Sequence, residues 1–593
     1  MKIYNFCIFM LPNTFILKPT QRSAINDRDI LWTSPVPYVL GKDLEMNAKG
    51  VILKAHDQFR LKSCIDFKPR DSEEYYISVK KLNGYVLLFN NGQNLSIGTN
   101  CDEISTVEHE FLHALGFYHE QSRYDRDDYL TIAFENIKEG RENNFRKVSE
   151  EESTTNGVQY DYWSVMHYGK NAFSNGKGST MITKDPKFED VIGQRLEVSP
   201  SDVLELNRLY KCNSTIAFQM HCSFSNGTMC QMNRCSQSVI SWEMVTKAYG
   251  GPNFDHTNLP SGNGQDDGYF MHASTASGQK GDSAWLETHR MTAKRECHIQ
   301  CLQFYFYHSG NGSDELNIWI REFEDEWDSR GTLRLMEQIT GNVKLYDYML
   351  SSHFQVEFEI RKGAGNSSGG FSIDDINLSE TECPHVTMQI NDFENVLNTS
   401  EYGTTLYSQR QYSSGGYAYA VGTVLFNTHF GLFVQLLSGK YDDKLEWPLP
   451  QRQVTFQMLD QNPNIQLQMS KQRSITSDLS VSESGKFQND TFLWDNPREI
   501  GTPYVDENNE TIYAGPLIGR TFFATAEELK VRDFLKGGSA VFVFRFEGRL
   551  IKKNVSAKMD WTLFRVLSIL LAKINVFIHK CVLIGVKLPL PMI

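Results

Sequence analysis

The chain has 593 residues, with 59 Lys+Arg against 72 Asp+Glu and a formal net charge of −13. A hydrophobic fraction of 40% and a charged fraction of 22% exclude a chain dominated by disorder. At ~150 residues per domain the length allows about four domains. The acidic balance argues against nucleic acid as a partner, because a phosphate backbone needs a basic footprint.

In chain order, residues 1–22 hold a weak export signal: Lys2 precedes the apolar run Tyr4–Leu11, which Pro12 interrupts. Residues 23–213 mix alternating strand patterns with helical stretches at Asn47–Arg60 and Thr106–Leu115. Over 217–383, short alternating runs such as Leu302–Tyr307 and Leu316–Arg321 are punctuated by Gly and Asn, which predicts a β-sandwich. Residues 384–548 form a second strand-rich block, with Gly431–Leu437 and Ser539–Phe546, interrupted by a serine-rich loop at Ser470–Ser484. The tail 549–593 is apolar and basic. Its longest charge-free run, Val566–Ala572 within Trp561–Leu588, is far short of the ~20 residues a spanning helix needs. A surface helix or a disordered tail is expected there, with membrane association left open.

Two features point outside the cytosol. Asn-X-Ser/Thr triplets start at Asn94, Asn213, Asn226, Asn311, Asn366, Asn377, Asn398, Asn489, Asn509 and Asn554, the pattern of a secreted or cell-surface glycoprotein. The 11 cysteines contain no CxxC pair, so they read as disulfides rather than as a zinc ribbon. An odd number leaves at least one thiol free or paired with another chain.

The chemistry concentrates in His109-Glu-Phe-Leu-His-Ala-Leu-Gly-Phe-Tyr-His-Glu120. His109 and His113 stand four apart, so on a helix their imidazoles leave one face and can share a cation. Ser105-Thr-Val-Glu108 reads as a capping box that starts this helix, and Gly116 can take the left-handed conformation that ends it. After that turn His119 can reach the same metal. Three neutral nitrogens with an open fourth position describe a catalytic Zn2+, one per domain. Glu110 lies between the first two ligands, close enough to take a proton from water activated by the metal.

This HExxHxxGxxH pattern followed by Glu120 resembles the astacin branch of the metzincins, and Ser164-Val-Met-His-Tyr168 resembles that family's Met-turn. The resemblance implies that Met166 floors the metal site and that Tyr168 is a displaceable ligand that stabilises the tetrahedral intermediate. It leaves His167 structural. It also implies that Glu120 holds a new N-terminus made by a trypsin-like cut between Arg22 and Ser23.

Gln121–Tyr129, Gly140–Phe145 and Val191–Arg195 are similar to meprin catalytic domains. Arg141 and Arg195 fall where the beta-type subunit faces the prime side of the substrate, which implies a preference for acidic residues.

The second block resembles a MAM domain through Cys222–Cys230, Asp255-His-Thr257, Cys301-Leu-Gln-Phe304 and Gly370–Ile376. The third resembles a MATH (TRAF-like) domain through Asp442–Pro448, Leu493–Pro497 and Asp533–Lys536. The implied bridges are Cys64–Cys212, Cys222–Cys230 and Cys301–Cys383. Tyr85 replaces the cysteine expected opposite Cys101, which would leave Cys101 without its partner. Ser261–Asp267 lacks the cysteine that links meprin subunits, while Cys235 and Cys297 are extra and could pair with each other or across chains.

The expected architecture is therefore multidomain: an α+β astacin-like catalytic domain followed by two all-β sandwiches, MAM and then MATH. The expected function is a secreted or cell-surface zinc endopeptidase acting on proteins and peptides, and associating as a homo- or hetero-oligomer through MAM and MATH. The alternative is a catalytically impaired adhesion or scaffold protein.

Overall fold

The computed structural model describes residues 31–81, 92–236, 238–259, 268–295, 299–340, 353–477, 491–506 and 508–547, and the backbone of three short strands at 24–25, 88–89 and 348–349. Two compact units divide the chain: Met1–Phe218 with Gln466–Gln472, and Gln219–Ile465 with Arg473–Ile593.

The first unit is built on a five-stranded sheet. Its strands are β2 (Val36–Leu40), β3 (Phe67–Pro69), β4 (Tyr76–Lys80), β5 (Leu88–Phe89) and β6 (Gly92–Ser96), which follow β1 (Ala24–Ile25) in the chain. The order across the sheet is β3-β2-β4-β6-β5, parallel except where β5 meets β6. Helix α1 (Met46–Lys62) buries Ala48, Val51, Ile52, Ala55 and Phe59, a spacing of three and four that makes one apolar stripe. Helix α2 (Ile104–Ala114) packs into the same core, where Phe111 and Leu112 meet Val165 and Met166. Beyond α2 the chain adds the short strands β7 (Leu130–Ile132), β8 (Ser153–Thr154) and β9 (Met181–Thr183), then helix α3 (Pro200–Leu209). β1 pairs with β8, and β7 with β9.

One expectation is corrected here. Helix α2 begins at Ile104 with Glu103 as its N-cap, so Ser105 and Glu108 lie inside the helix and form no capping box. Glu108 Oε2 instead accepts the Val198 N–H at 2.9 Å, and Ser105 Oγ has no hydrogen-bond partner. Burial of Ile104 at 4% exposure carries the helix past the polar residues that looked like its start.

The second unit holds the two strand-rich blocks. In the first, one sheet runs Trp242–Val245, Phe270–Ser274, Gly370–Ser379, Ile299–His308 and Tyr348–Met349, with Phe218–Cys222 also pairing with Gly370–Ser379. The facing sheet runs Asn233–Ser236, Ser283–Glu287, His353–Arg361, Glu315–Phe323 and Thr332–Ile339. Trp242, Phe354, Phe358 and Phe371 lie in the shared core between them. In the second block, Val386–Ile390, Ser539–Phe546 and Gln453–Met458 share one sheet. Ala418–Leu425, His429–Leu437 and Thr511–Thr525 form the centre of the other. Within the expected serine-rich loop Ser470–Ser484, Lys471–Thr476 is instead a strand whose Ser474 is buried against Thr455, and residues 478–484 lie outside the described residues.

Disulfides join Cys64 to Cys212, Cys222 to Cys230 and Cys301 to Cys383. Cys101 is also disulfide-bonded, to a partner outside the described residues, so the replacement by Tyr85 does not leave it free. Cys235 is a free, exposed thiol on the edge strand Asn233–Ser236, which removes a Cys235–Cys297 pair. Residues 1–22, Tyr85, Ser261–Asp267, Cys297 and the tail 549–593 lie outside the described residues. Among the described residues no helix is long and apolar enough to cross a membrane.

His56 on α1 is fully buried, and neither of its nitrogens has a hydrogen-bond partner. It stacks on Phe67 and meets the edges of Tyr38 and Phe111. Burial, and then the Arg60 charge, hold it well below the ordinary histidine range, so it is neutral in the fold. The unfolded chain takes up a proton at this position below pH ~6.5 that the folded chain refuses, and stability therefore falls as pH drops below that value. His56→Phe is expected to recover about 1 to 2 kcal/mol of the stability lost between pH 7 and pH 5. Thermal unfolding at the two pH values checks this: the loss of Tm on acidification shrinks in the variant.

The structure also divides the glycosylation triplets. Asn377 is 3% exposed, with its amide donating to the Asp375 and Pro463 carbonyls, and Asn94 is 8% exposed within β6. Asn226, Asn366 and Asn398 are exposed. Glycopeptide mass spectrometry of secreted protein is expected to find sugar at exposed positions and none at Asn94 or Asn377.

Candidate active site

Helix α2 carries His109, Glu110 and His113 on consecutive turns. It stops at Gly116, whose φ of +105° belongs to the left-handed region. Gly116 N–H donates to the His113 carbonyl at 3.1 Å and Phe117 N–H to the Leu112 carbonyl at 2.9 Å, which closes the helix end. The chain then runs extended through His119, and the Glu120 N–H donates to the Met166 carbonyl at 3.1 Å. That bond ties the third histidine to the Ser164–Tyr168 turn.

The three imidazoles converge, with one ligand atom from each lying within 4.8 Å of the others. His109 Nδ1 lies 2.8 Å from the Val165 carbonyl and His113 Nδ1 lies 2.9 Å from the Phe117 carbonyl. A carbonyl oxygen only accepts, so both Nδ1 atoms carry the proton and both Nε2 atoms are bare. His113 Nε2 and His119 Nε2 are 3.2 Å apart. Burial pushes His109 and His119 well below the ordinary histidine range and His113 down to about 4, and the neighbouring histidines add to this for the first two. His113 Nε2 is therefore an acceptor, open either to a proton on His119 Nε2 or to a cation shared by the three rings. The donor set, all imidazole nitrogen, is one that suits zinc.

Glu110 is 3% exposed and its Oε1 has no hydrogen-bond partner. Burial pushes its carboxyl up to about 8, opposed by the charge of Arg195. The Tyr168 ring sits 4.3 Å from that of His119 and packs toward Phe145 and Phe173. Burial, and then Glu110, raise the Tyr168 hydroxyl above its ordinary value, so it keeps its proton. Met166 is buried beneath, its N–H donating to Ser164 Oγ at 3.0 Å. His167 bridges the Tyr160 hydroxyl and the Tyr168 carbonyl, both at 2.7 Å.

Glu120 lies in a buried acidic group. Its Oε1 accepts from the Asp161 N–H at 2.9 Å and from Arg123 Nη1 at 3.2 Å. Burial raises its carboxyl to about 8, and the neighbouring Asp202 and Asp161 oppose its ionisation further. Arg195 is half-buried, with Nη1 donating to the Gln194 carbonyl at 2.7 Å and to the Val165 carbonyl at 3.3 Å. Among the described residues no carboxylate closes an ion pair with Arg195, although its charge acts on His109, Glu110, His119 and Tyr168. Arg141 opens the turn Glu142–Phe145, whose last residue faces the Tyr168 ring. Sequence reasoning did not single out Arg123, Gln121, Tyr160 or Asp202. Gln121 Oε1 accepts the Tyr168 N–H at 3.1 Å, and Asp202 belongs to a Ser-Pro-Ser-Asp helix start that the residue pattern alone could have flagged.

Family comparison agrees with this geometry. The astacin peptidase family matches residues 24–211, the MAM domain 222–384 and the MATH domain 385–545. Meprin A subunit beta of Rattus norvegicus is 45% identical over 542 residues, covering 90% of this chain and 75% of that protein. The chain belongs to the meprin family. Meprin A subunit beta of Homo sapiens is 46% identical over 537 residues, covering 89% of this chain and 75% of that protein. Among solved structures, high choriolytic enzyme 1, a hatching-enzyme zinc protease of Oryzias latipes, is 34% identical with a TM-score of 0.30, covering 32% of this chain and 100% of its own. As a meprin, the chain is a metalloendopeptidase of a zinc-dependent family, with an astacin domain followed by MAM and MATH domains.

Proposed function

We propose that the chain cleaves peptide bonds at a single zinc site held by His109, His113 and His119 through their Nε2 atoms, and that it favours substrates with acidic residues beyond the scissile bond. The observation that carries this reading is the convergence of three neutral imidazoles, two of which, His109 and His113, have their second nitrogens already committed to backbone carbonyls. Zinc bound there supplies Lewis-acid polarisation of water and of the scissile carbonyl. Glu110, buried and with a carboxylate oxygen free of hydrogen bonds, would be returned to its ionised form by the adjacent cation, and then takes the proton from the attacking water and returns it to the leaving nitrogen. Tyr168 keeps its proton and donates a hydrogen bond to the developing oxyanion, while Met166 floors the site. Gly116 supplies the turn that brings His119 back.

Arg195 supports the acidic preference. Its guanidinium is anchored by two carbonyls and, although the charges of Glu103 and Glu110 act on it, closes no ion pair among the described residues, so a substrate carboxylate can complete it. Arg141 joins it in this reading, at the start of the turn that ends beside Tyr168. The buried Glu120 group, in which Asp161, Asp202 and Glu205 outnumber the Arg123 cation, supports a second role: an acceptor for the ammonium freed by cleavage after Arg22. The disulfides and exposed glycosylation triplets support an extracellular or cell-surface location, with MAM and MATH serving association.

Zinc-loaded, trypsin-treated protein is expected to hydrolyse peptide, and Glu110→Ala is expected to lose about 10²- to 10⁴-fold of kcat while still binding zinc. Equal rates for the two would overturn the assignment of Glu110. On peptides with Asp, Ala or Lys after the cleavage point, Asp is expected to give the highest kcat/KM. Arg195→Ala is expected to lower the Asp value about tenfold or more and the Ala value about threefold or less. A panel with no preference for Asp would remove the role given to the arginines.

A further inference from the structure

Asp202 is a buried carboxylate, 5% exposed, with no cation against it among the described residues. It sits in the first turn of α3, where it completes a capping box: Ser199 Oγ accepts the Asp202 N–H at 3.0 Å, and Asp202 Oδ2 accepts the Ser199 N–H at 2.9 Å. Capping alone does not call for burial, since an exposed Asp or Glu at this place caps equally well. The charge that acts on it most strongly is Asp161, of the same sign, so keeping Asp202 here is costly. Burial and Asp161 push its carboxyl up to about 6.

The remaining contacts of the same carboxylate leave the helix altogether. Asp202 Oδ1 accepts from Ser164 Oγ at 2.6 Å and Oδ2 accepts the Val165 N–H at 2.9 Å. Ser164 Oγ in turn accepts the Met166 N–H. All three residues of the turn under the histidines are thus tied to this one side chain. The carbonyl of the same Val165 is the partner of His109 Nδ1. A single residue therefore receives the carboxylate through its N–H and passes its carbonyl to the histidine. Hydrogen bonds in such a chain polarise one another, and a partner that fixes Nδ1 also fixes which way Nε2 points.

We propose that Asp202 is a positioning residue for the metal centre: it pins the Ser164–Met166 turn so that the Val165 carbonyl holds His109 with Nε2 bare and aimed at His113 and His119. This rests on reading the three histidines as the zinc ligands. It assigns to the start of α3, 93 residues beyond His109 in the sequence, a direct effect on metal affinity.

Two full-length variants separate positioning from helix stability. Ser199→Ala removes the cap hydroxyl from α3 and leaves the Asp202 contacts to Ser164 and Val165. Asp202→Asn keeps the shape but replaces one of the two acceptor oxygens by an amide donor, which then faces either Ser164 Oγ or the Val165 and Ser199 N–H groups, and it removes the negative charge. Zinc affinity is read by competition with a chromophoric chelator, alongside Tm, kcat and KM. Asp202→Asn is expected to weaken zinc binding about 10- to 100-fold and to lower kcat with KM changed about threefold or less. Ser199→Ala is expected to lower Tm while its zinc affinity stays within about threefold of wild type. Where Asp202→Asn gives too little folded protein, Ser164→Ala is read in its place, and is expected to weaken zinc binding by a smaller factor of about two to five. Wild-type zinc affinity and kcat in Asp202→Asn, or in Ser164→Ala where it stands in, would overturn the role of Asp202. So would an equal loss in Ser199→Ala. A wild-type chain that binds no zinc would instead overturn the metal-site reading, and this role with it.

Discussion

The catalytic unit is organised around the 3.2 Å approach of His113 Nε2 to His119 Nε2. The surrounding chain holds the two ring nitrogens at this distance from both sides. The Phe117 carbonyl fixes the ring of His113 from one side, and the Glu120–Met166 backbone bond brings His119 back over α2. The core behind them, in which Phe111, Leu112, Val165 and Met166 share contacts, resists any rotation that would relieve the approach. The result is a preorganised set of three converging imidazoles, a donor set that suits a cation.

The same logic explains the surrounding charges. Glu110, Glu120 and Asp202 are all buried carboxyls held above their usual range, and Arg195 is a cation with no carboxylate closed on it. Removing charged groups from water without full compensation is costly, and it concentrates where chemistry requires it. The first β-rich block buries charge too: Asp374, Asp375, Glu357 and Glu359 lie inside it, and burial and Asp375 hold Asp374 well above its ordinary range. Its apolar core is closed by aromatic and aliphatic side chains, and the Cys222–Cys230 and Cys301–Cys383 bridges lie in the same block.

How much of this was legible in the sequence follows from distance along the chain. His109, Glu110, His113, Gly116, His119 and Glu120 fall within twelve residues, so helix geometry alone orders them. The β-sandwich blocks were legible because period-two alternation is local too. The start of α2 was misread because Ser105 and Glu108 carry the local pattern of a cap, while the structure spends Glu108 on Val198, ninety residues away. Asp202 was legible as a helix cap, but its second set of contacts was not: nothing near it in sequence says that its carboxylate ends on Ser164 and Val165. The isolation expected of Cys101 failed because losing one cysteine at position 85 does not prevent another from taking its place.

Zinc K-edge X-ray absorption of the full chain reconstituted with zinc tests the central claim most directly. The account predicts one zinc per chain with three imidazole nitrogens at ~2.0–2.1 Å and an oxygen completing the shell. Sulfur in the first shell at ~2.3 Å, or fewer than three imidazoles, would contradict it.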